Sequence, residues 1–218
     1  MSSRQVCDAT VFVVDDDEFI RESLETLIRL SGWVPRTFAS ADLFLVEPPA
    51  EGPNCLVLDV NLPGLNGLDL QSLVGLERSD MPIIFISGHG DVPMSVKAMK
   101  AGAVEFLTKP FGEEVLRGAI ASALERSSAK LAGRAEMQVL RKRYATLSSR
   151  EREVMAGVVS GLLNKQVGAE LGISEITVKK YRGRVMTKMR ARSLPDLVTM
   201  SAKLVRFVSV KEHASDDW

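Results

Sequence analysis

The sequence predicts an α/β fold, a five-stranded parallel sheet wound on both faces by helices, followed by a small all-α domain. Three observations predict it. Short β-rich apolar runs alternate with helix-like segments through the first half, the pattern of strands joined by helical crossovers. A helix-opening signal stands at Ser148, after a long polar, alanine-rich stretch. The charge also reverses: residues 1 to 125 hold 9 Lys+Arg and 19 Asp+Glu, a balance of 9 − 19 = −10, and residues 126 to 218 hold 19 and 9, a balance of +10.

The elements follow in order. "TVFVV" (Thr10 to Val14) is the first strand, and Asp17 to Leu30 places Ile20, Leu24, Leu27 and Ile28 on one helical stripe. "VPRTF" precedes a short helix from Ser40, and "CLVLD" one from about Asn66. "PIIFIS" precedes a helix from Asp91 to Ala101, and "AVEFL" one from Gly112. The last helix has no clear stop and runs on as a helical linker to about Tyr144, with Leu124, Leu131 and Leu140 too sparse for a coiled coil. Ser148 with Glu151 three residues later is a capping box, and Val154, Met155, Val158, Val159 and Leu162 give its helix an apolar face. Two more helices follow, from Lys165 to Leu171, ended by Gly172, and from a cap at Ser174 to about Met189. The predicted division is 1–125, a helical linker at 126–145, and 146–218.

Composition narrows the function classes. The 45% hydrophobic and 26% charged content is that of a soluble globular protein. Neither a signal peptide nor a membrane-spanning run is read, so a cytoplasmic protein without a membrane partner is expected. Cys7 and Cys55 lack metal-ligand spacing and suggest neither a disulfide framework nor zinc. The basic second half is of the kind attracted to nucleic acid.

A buried strand has little use for a carboxylate, yet "CLVLDVNLPG" runs straight into Asp59. The first strand ends "VVDDD". If these two strands are neighbours, Asp15, Asp16 and Asp59 converge on one rim, since binding groups of such sheets gather at the carboxyl ends of the strands. Three close carboxylates take up protons or a hard cation, for which Mg2+ is the natural occupant. The fourth strand ends at Ser87, and the fifth is followed by Thr108, Lys109 and Pro110. A carboxylate nucleophile, a metal, a hydroxyl and a lysine form a phosphoryl-accepting site. Asp17 reads as no more than the cap of the following helix.

At "VVDDD", "LVLDVNLPGLNG" and "FISGHGDVPMSVKAMKAGAVEFLTKPF" the sequence resembles the response-regulator receiver family, over residues 10 to 125. The resemblance implies a flavodoxin-like receiver fold in which Asp59 is phosphorylated by a sensor histidine kinase. It implies that Asp16, Asp59 and the Asn61 carbonyl ligate Mg2+, that Asp15 assists through water, that Lys109 and Ser87 contact the phosphoryl group, and that Phe106 is the switch aromatic. Leu62 stands where the family usually has methionine. His89, between Gly88 and Gly90, reads as a loop residue at a position that tunes phosphoryl lifetime in the family.

At about 100° per residue, Val178, Tyr181, Val185 and Met189 fall on the core side of the last motif helix. Lys179, Lys180, Gly183, Arg184 and Thr187 fall opposite, with Arg182 and Lys188 on the flanks. From Lys179 to Arg192 there are seven basic residues and no acid, as phosphate contact demands. Gly183 costs about 1 kcal/mol relative to alanine inside a helix, so it suggests close backbone approach, with a packing accident as the competing explanation.

Residues 147 to 200 resemble the LuxR-type helix-turn-helix, and the whole chain resembles the FixJ-like branch of the NarL/FixJ response regulators. By that resemblance Lys179 and Lys180 reach base edges of double-stranded DNA, while Lys165, Thr177, Arg182 and Arg184 hold phosphates. Lys188 is placed in the same DNA-binding set. Tyr181 stands where the family commonly has histidine, and packing is expected of it.

The expectation is a transcription regulator rather than an enzyme: Mg2+-dependent phosphorylation of Asp59 promotes a homodimer through the fourth and fifth units, and sequence-specific DNA binding, with RNA polymerase a further candidate partner. Two other readings compete. An aspartyl-phosphate hydrolase would use Asp59 as nucleophile, but needs a second acid two residues on, where Asn61 stands. A receiver that docks a protein partner would leave the basic domain incidental.

Overall fold

The five apolar runs form one sheet, β1 (Thr10–Val14), β2 (Val34–Phe38), β3 (Asn54–Asp59), β4 (Ile83–Ser87) and β5 (Glu105–Thr108), in the order β2-β1-β3-β4-β5. All four neighbouring pairs are parallel. The computed structural model describes residues 9–78, 80–88 and 92–213, so His89, Gly90, Asp91 and Cys7 lie outside the described residues. It divides the chain into two compact units, Met1–Ala132 and Gly133–Trp218.

Strands β1, β3 and β4 are buried along their whole length, whereas β2 and β5, at the edges, are partly exposed. This explains why the central runs are continuously apolar: helices cover both faces, so neither side can be polar. Because successive side chains alternate, each strand feeds two cores. Phe12, Val14, Leu56, Leu58 and Phe85 pack with Phe44, Leu70, Val74 and Ala98 of α2 (Ala41–Leu45), α3 (Gly67–Glu77) and α4 (Val92–Lys100). Val11, Val13, Val57, Ile84 and Ile86 pack with Leu24, Ile28, Leu116 and Ile120 of α1 (Glu18–Leu30) and α5 (Glu113–Ala145). Asp17 does cap α1, its carboxylate accepting from the N–H groups of Phe19 and Ile20.

The division between the units falls within α5, one continuous helix from Glu113 to Ala145. The stretch expected as a linker is helical, and beyond the division it gives Met137, Leu140 and Tyr144 to a core with Met155, Val185, Met189 and Leu197. The second unit continues with α6 (Ser149–Val159), α7 (Asn164–Leu171), α8 (Glu175–Met189) and α9 (Leu194–His213). The capping box at Ser148 and Glu151 is formed. Gly172 ends α7 at φ 66°, a left-handed conformation that favours glycine, and Ser174 caps α8.

Helix α9 was not anticipated. Its signal is Ser193 followed three residues later by Asp196: the Asp196 N–H donates to Ser193 Oγ and the Arg192 N–H to Asp196 Oδ2. Pro195 in the first turn does not oppose a helix start, because its missing N–H has no partner there in any case. Leu197 is fully buried on this helix.

Candidate metal centre and candidate nucleic-acid interface

Strand β1 lies between β2 and β3, so the chain leaves it in opposite directions on its two sides and a crevice opens at the carboxyl ends. The β1–β3 register pairs Val14 with Leu58, which brings Asp15 and Asp59 out side by side. One carboxylate oxygen from each of Asp15, Asp16 and Asp59 lies within 4.8 Å of the others, the one such acidic group among the described residues that could hold a metal ion. Asp15 and Asp59 are buried, and Asp16 is exposed.

Each buried carboxylate has one oxygen on a backbone N–H and the other on a lysine. Asp15 Oδ1 accepts from the Asp17 N–H at 2.9 Å and Asp59 Oδ1 from the Asn61 N–H at 3.0 Å. The ammonium of Lys109, delivered by the end of β5, donates to Asp15 Oδ2 at 2.7 Å and Asp59 Oδ2 at 2.8 Å. Burial pushes the Asp15 carboxyl above its ordinary range, against the lowering by Lys109 and the Asp17 N–H, and the Asp59 charge pushes the same way. For Lys109 burial alone would lower the pKa, but the bonds to Asp15 and Asp59 outweigh it and the net shift is upward. Lys109 therefore stays charged, and one ammonium among three carboxylates leaves the rim acidic.

The other predicted rim residues sit around this centre. Ser87 is fully buried at the end of β4, and its carbonyl accepts from the Lys109 N–H at 2.7 Å, which fixes where that side chain starts. Phe106, partly buried, pairs with Phe85 across β4 and β5, the ring centroids 6.2 Å apart. Asn61 is exposed, its N–H turned to Asp59.

Two residues escaped the sequence reading. The Arg21 guanidinium, one turn into α1, donates to the Asp15 carbonyl at 2.8 Å and steadies the rim from below. Gly67 opens α3 beneath Asp59: a Cβ there would come 2.5 Å from the Asp59 carbonyl oxygen and 3.0 Å from Val60 Cα. The clue to Gly67 was a poor helix former directly after the Asn66 cap; for Arg21 no local signal exists.

In the second unit Val178, Val185 and Met189 are buried, and Tyr181 packs half-buried beside Val154, Val158 and Val167, as expected. Lys179, Lys180, Gly183, Arg184 and Thr187 are exposed together on α8, and Lys165 is exposed on α7. Most are held only lightly. Lys179 pairs with Glu175 at 3.1 Å, Arg182 reaches Asn164 Oδ1 at 3.3 Å, and the Arg184 guanidinium lies 5.9 Å from the Tyr181 ring centre. The Thr177 hydroxyl meets that of Ser174 at 2.8 Å.

Lys188 departs from this set. Its ammonium donates to Glu151 Oε2 at 2.6 Å and to the Thr146 carbonyl at 3.0 Å, bracing α6 against α8. Glu151 is buried, and the hydrogen bonds from Lys188 and the Ser148 N–H hold its carboxyl below the usual range. A lysine already bound to a buried carboxylate is poorly placed to neutralise a phosphate, since leaving would strand that charge. The structure gives Lys188 a bracing role between α6 and α8 that the sequence reading did not assign to it.

Residues 11–121 match the response regulator receiver domain, and residues 145–201 match the luxR family of bacterial regulatory proteins. Nodulation protein W of Bradyrhizobium diazoefficiens is 51% identical over 196 residues, covering 90% of this chain and 86% of the relative. Transcriptional regulatory protein FixJ of Rhizobium meliloti is 43% identical over 194 residues, 89% of this chain and 95% of the relative. Among solved structures, response regulator StyR superposes with a TM-score of 0.80 at 43% identity, over 90% of this chain and 99% of that one. Full-length FixJ from B. japonicum gives 0.54 at 41% identity, over 89% and 96%. No helix among the described residues is long and apolar enough to cross a membrane.

Proposed function

The chain belongs to the NarL/FixJ family of response regulators, whose receiver and LuxR-type domains regulate transcription through phosphorylation, and from that premise we propose that Asp59 is the phosphoacceptor. The receiver domain implies a histidine kinase partner and the LuxR-type domain implies DNA binding. The observation that carries the reading is the meeting of three carboxylates within 4.8 Å, two of them bridged by Lys109.

An all-oxygen set of hard donors with one exposed member suits Mg2+, which keeps several waters and takes one or two carboxylates. Asp15, Asp16, Asp59 and the Asn61 carbonyl are the groups that would hold it. Bound there, Mg2+ would offset charge on the phosphoryl oxygens. The remaining roles fall to side chains. An Asp59 carboxylate oxygen attacks phosphorus, the phosphorus–nitrogen bond to the donor histidine breaks, and the electron pair stays on the imidazole. Lys109, held over Asp59 from β5, and the Ser87 hydroxyl meet the phosphoryl oxygens as donors already fixed in place. Phe106 turns inward as Ser87 is drawn in. The surface of α4 and β5 then favours a homodimer, which sets two α8 helices on paired half-sites of double-stranded DNA. Lys179 and Lys180 meet base edges, Lys165, Thr177, Arg182 and Arg184 hold phosphates, and RNA polymerase is a candidate further partner in the cytoplasm.

Acetyl phosphate with Mg2+ should label the wild type and not Asp59→Asn, and should raise the wild type's affinity for sites recovered from a randomised-DNA selection. Equal labelling of the variant would overturn the assignment of Asp59. Steady turnover of a chromogenic phosphate ester would restore the hydrolase reading.

A further inference from the structure

We infer that Ile176 reads a thymine 5-methyl group in the major groove and is a specificity-determining residue of α8; this rests on α8 being the DNA-reading helix. Ile176 is the second residue of α8 and is 80% exposed. At about 100° per residue it lies within about 40° of Lys180, Gly183 and Thr187 and about 180° from Val185. Those three neighbours are exposed and Val185 is buried, so Ile176 stands at the middle of the outward face.

Nothing inside the unit accounts for an isoleucine there. It contributes nothing to the core, and a β-branched residue is a weaker helix former than the straight-chain polar residues that suit a solvated position. The first turn also offers no cation to the DNA backbone, and the Thr177 hydroxyl is the one phosphate donor proposed there. Residues 174–178 hold no cation, and the one charged side chain among them, Glu175, is turned to Lys179. A carboxylate set against phosphates would be repelled, whereas over base edges it is tolerated. Base edges are also where the N-terminal residues of a recognition helix lie.

Gly183, two turns on along the same face, supplies the approach. A Cβ at Gly183 would meet nothing within 4 Å, so no described neighbour requires glycine and the packing explanation has no partner. With the middle of the face lowered, the aliphatic side chain at its N-terminal end can come close to a base edge. Among the base edges in the major groove, thymine alone offers a methyl group, and an aliphatic side chain is its complement.

The test uses the full phosphorylated chain and sites recovered by randomised-DNA selection. Each thymine of a half-site is replaced in turn by deoxyuridine, which removes only the methyl. One replacement in a single half-site should weaken wild-type binding about fourfold, the worth of one buried methyl, and Ile176→Ala should bind the two DNAs alike while keeping the wild-type melting temperature. The inference fails if no replacement matters, or if Ile176→Ala keeps the wild-type ratio between thymine and deoxyuridine. A wild-type selection with no sequence preference would instead remove the DNA-reading role of α8, and this inference with it.

Discussion

The acidic rim and the outer face of α8 both concentrate charge, and they are handled in opposite ways. At the rim Asp15 and Asp59 are buried, and each carboxylate is matched by Lys109 and a backbone N–H. On the outer face of α8 Lys179, Lys180 and Arg184 are exposed, and Lys179 and Arg184 meet only a neighbouring carboxylate or ring. A buried charge is strong but conditional, because removing its partner leaves a desolvated ion. An exposed charge is weak, screened by salt and nearly independent of its neighbours. The rim can therefore hold reacting atoms in one arrangement, whereas α8 can meet phosphates wherever the DNA presents them. Stability and function are coupled at the first and separable at the second. The Glu151–Lys188 pair tests that rule, since it follows the rim's logic inside the basic domain.

The largest effect is expected for Lys109→Ala. It leaves two buried carboxylates facing each other and should cost roughly 3 kcal/mol or more at neutral pH, read as a lower urea midpoint. The sign with pH follows from Asp15, whose carboxyl burial already pushes upward. Without Lys109 it rises further, and a carboxyl raised in the folded state stabilises when protonated. The deficit should shrink as pH falls toward the carboxylate range and grow as pH rises through it, and Mg2+ should recover part of it. A deficit flat with pH would break the comparison at its first term.

Lys188→Met should come next, at about 2 kcal/mol, because it strands the buried Glu151. Glu151 is held below its ordinary value, so its contribution is present above that value and lost as the pH falls below about 4. Glu151→Gln should remove this acid-side loss, seen as a flatter stability curve below the ordinary glutamate range. The smallest effect on stability is expected for Lys165→Met, within about 0.5 kcal/mol, yet DNA binding should weaken on all sequences and the salt dependence should fall by about one unit of slope. Equal loss of stability in Lys165→Met and Lys188→Met would show that exposure does not divide the two kinds of charge.

Much of this was legible locally. The strand runs were bounded by turn residues and met the observed strands to within a residue or two, and Asp17, Ser148 and Ser174 announced their helices because a cap reaches only two or three residues. The bracing role of Lys188 was hidden for a related reason. A helical wheel ranks residues by direction but does not say which neighbour waits there, and its partners Glu151 and Thr146 lie 37 and 42 residues away. Gly67 and Arg21 were invisible in the same way, their meaning resting on contacts with Asp59 and Asp15 that form only when α3 and α1 close on the sheet.

What the sequence by itself determined was the alternation of strands and helices, the acids at strand ends and the basic face of α8, because periodicity and capping act between residues a few positions apart. Only the tertiary structure decided that β1 lies beside β3, that Lys109 crosses 94 residues to bind Asp15, and that Lys188 serves the fold. Those depend on which surfaces bury each other. That choice belongs to the whole chain, since a buried carboxylate is stable only where the assembled sheet delivers its counter-charge.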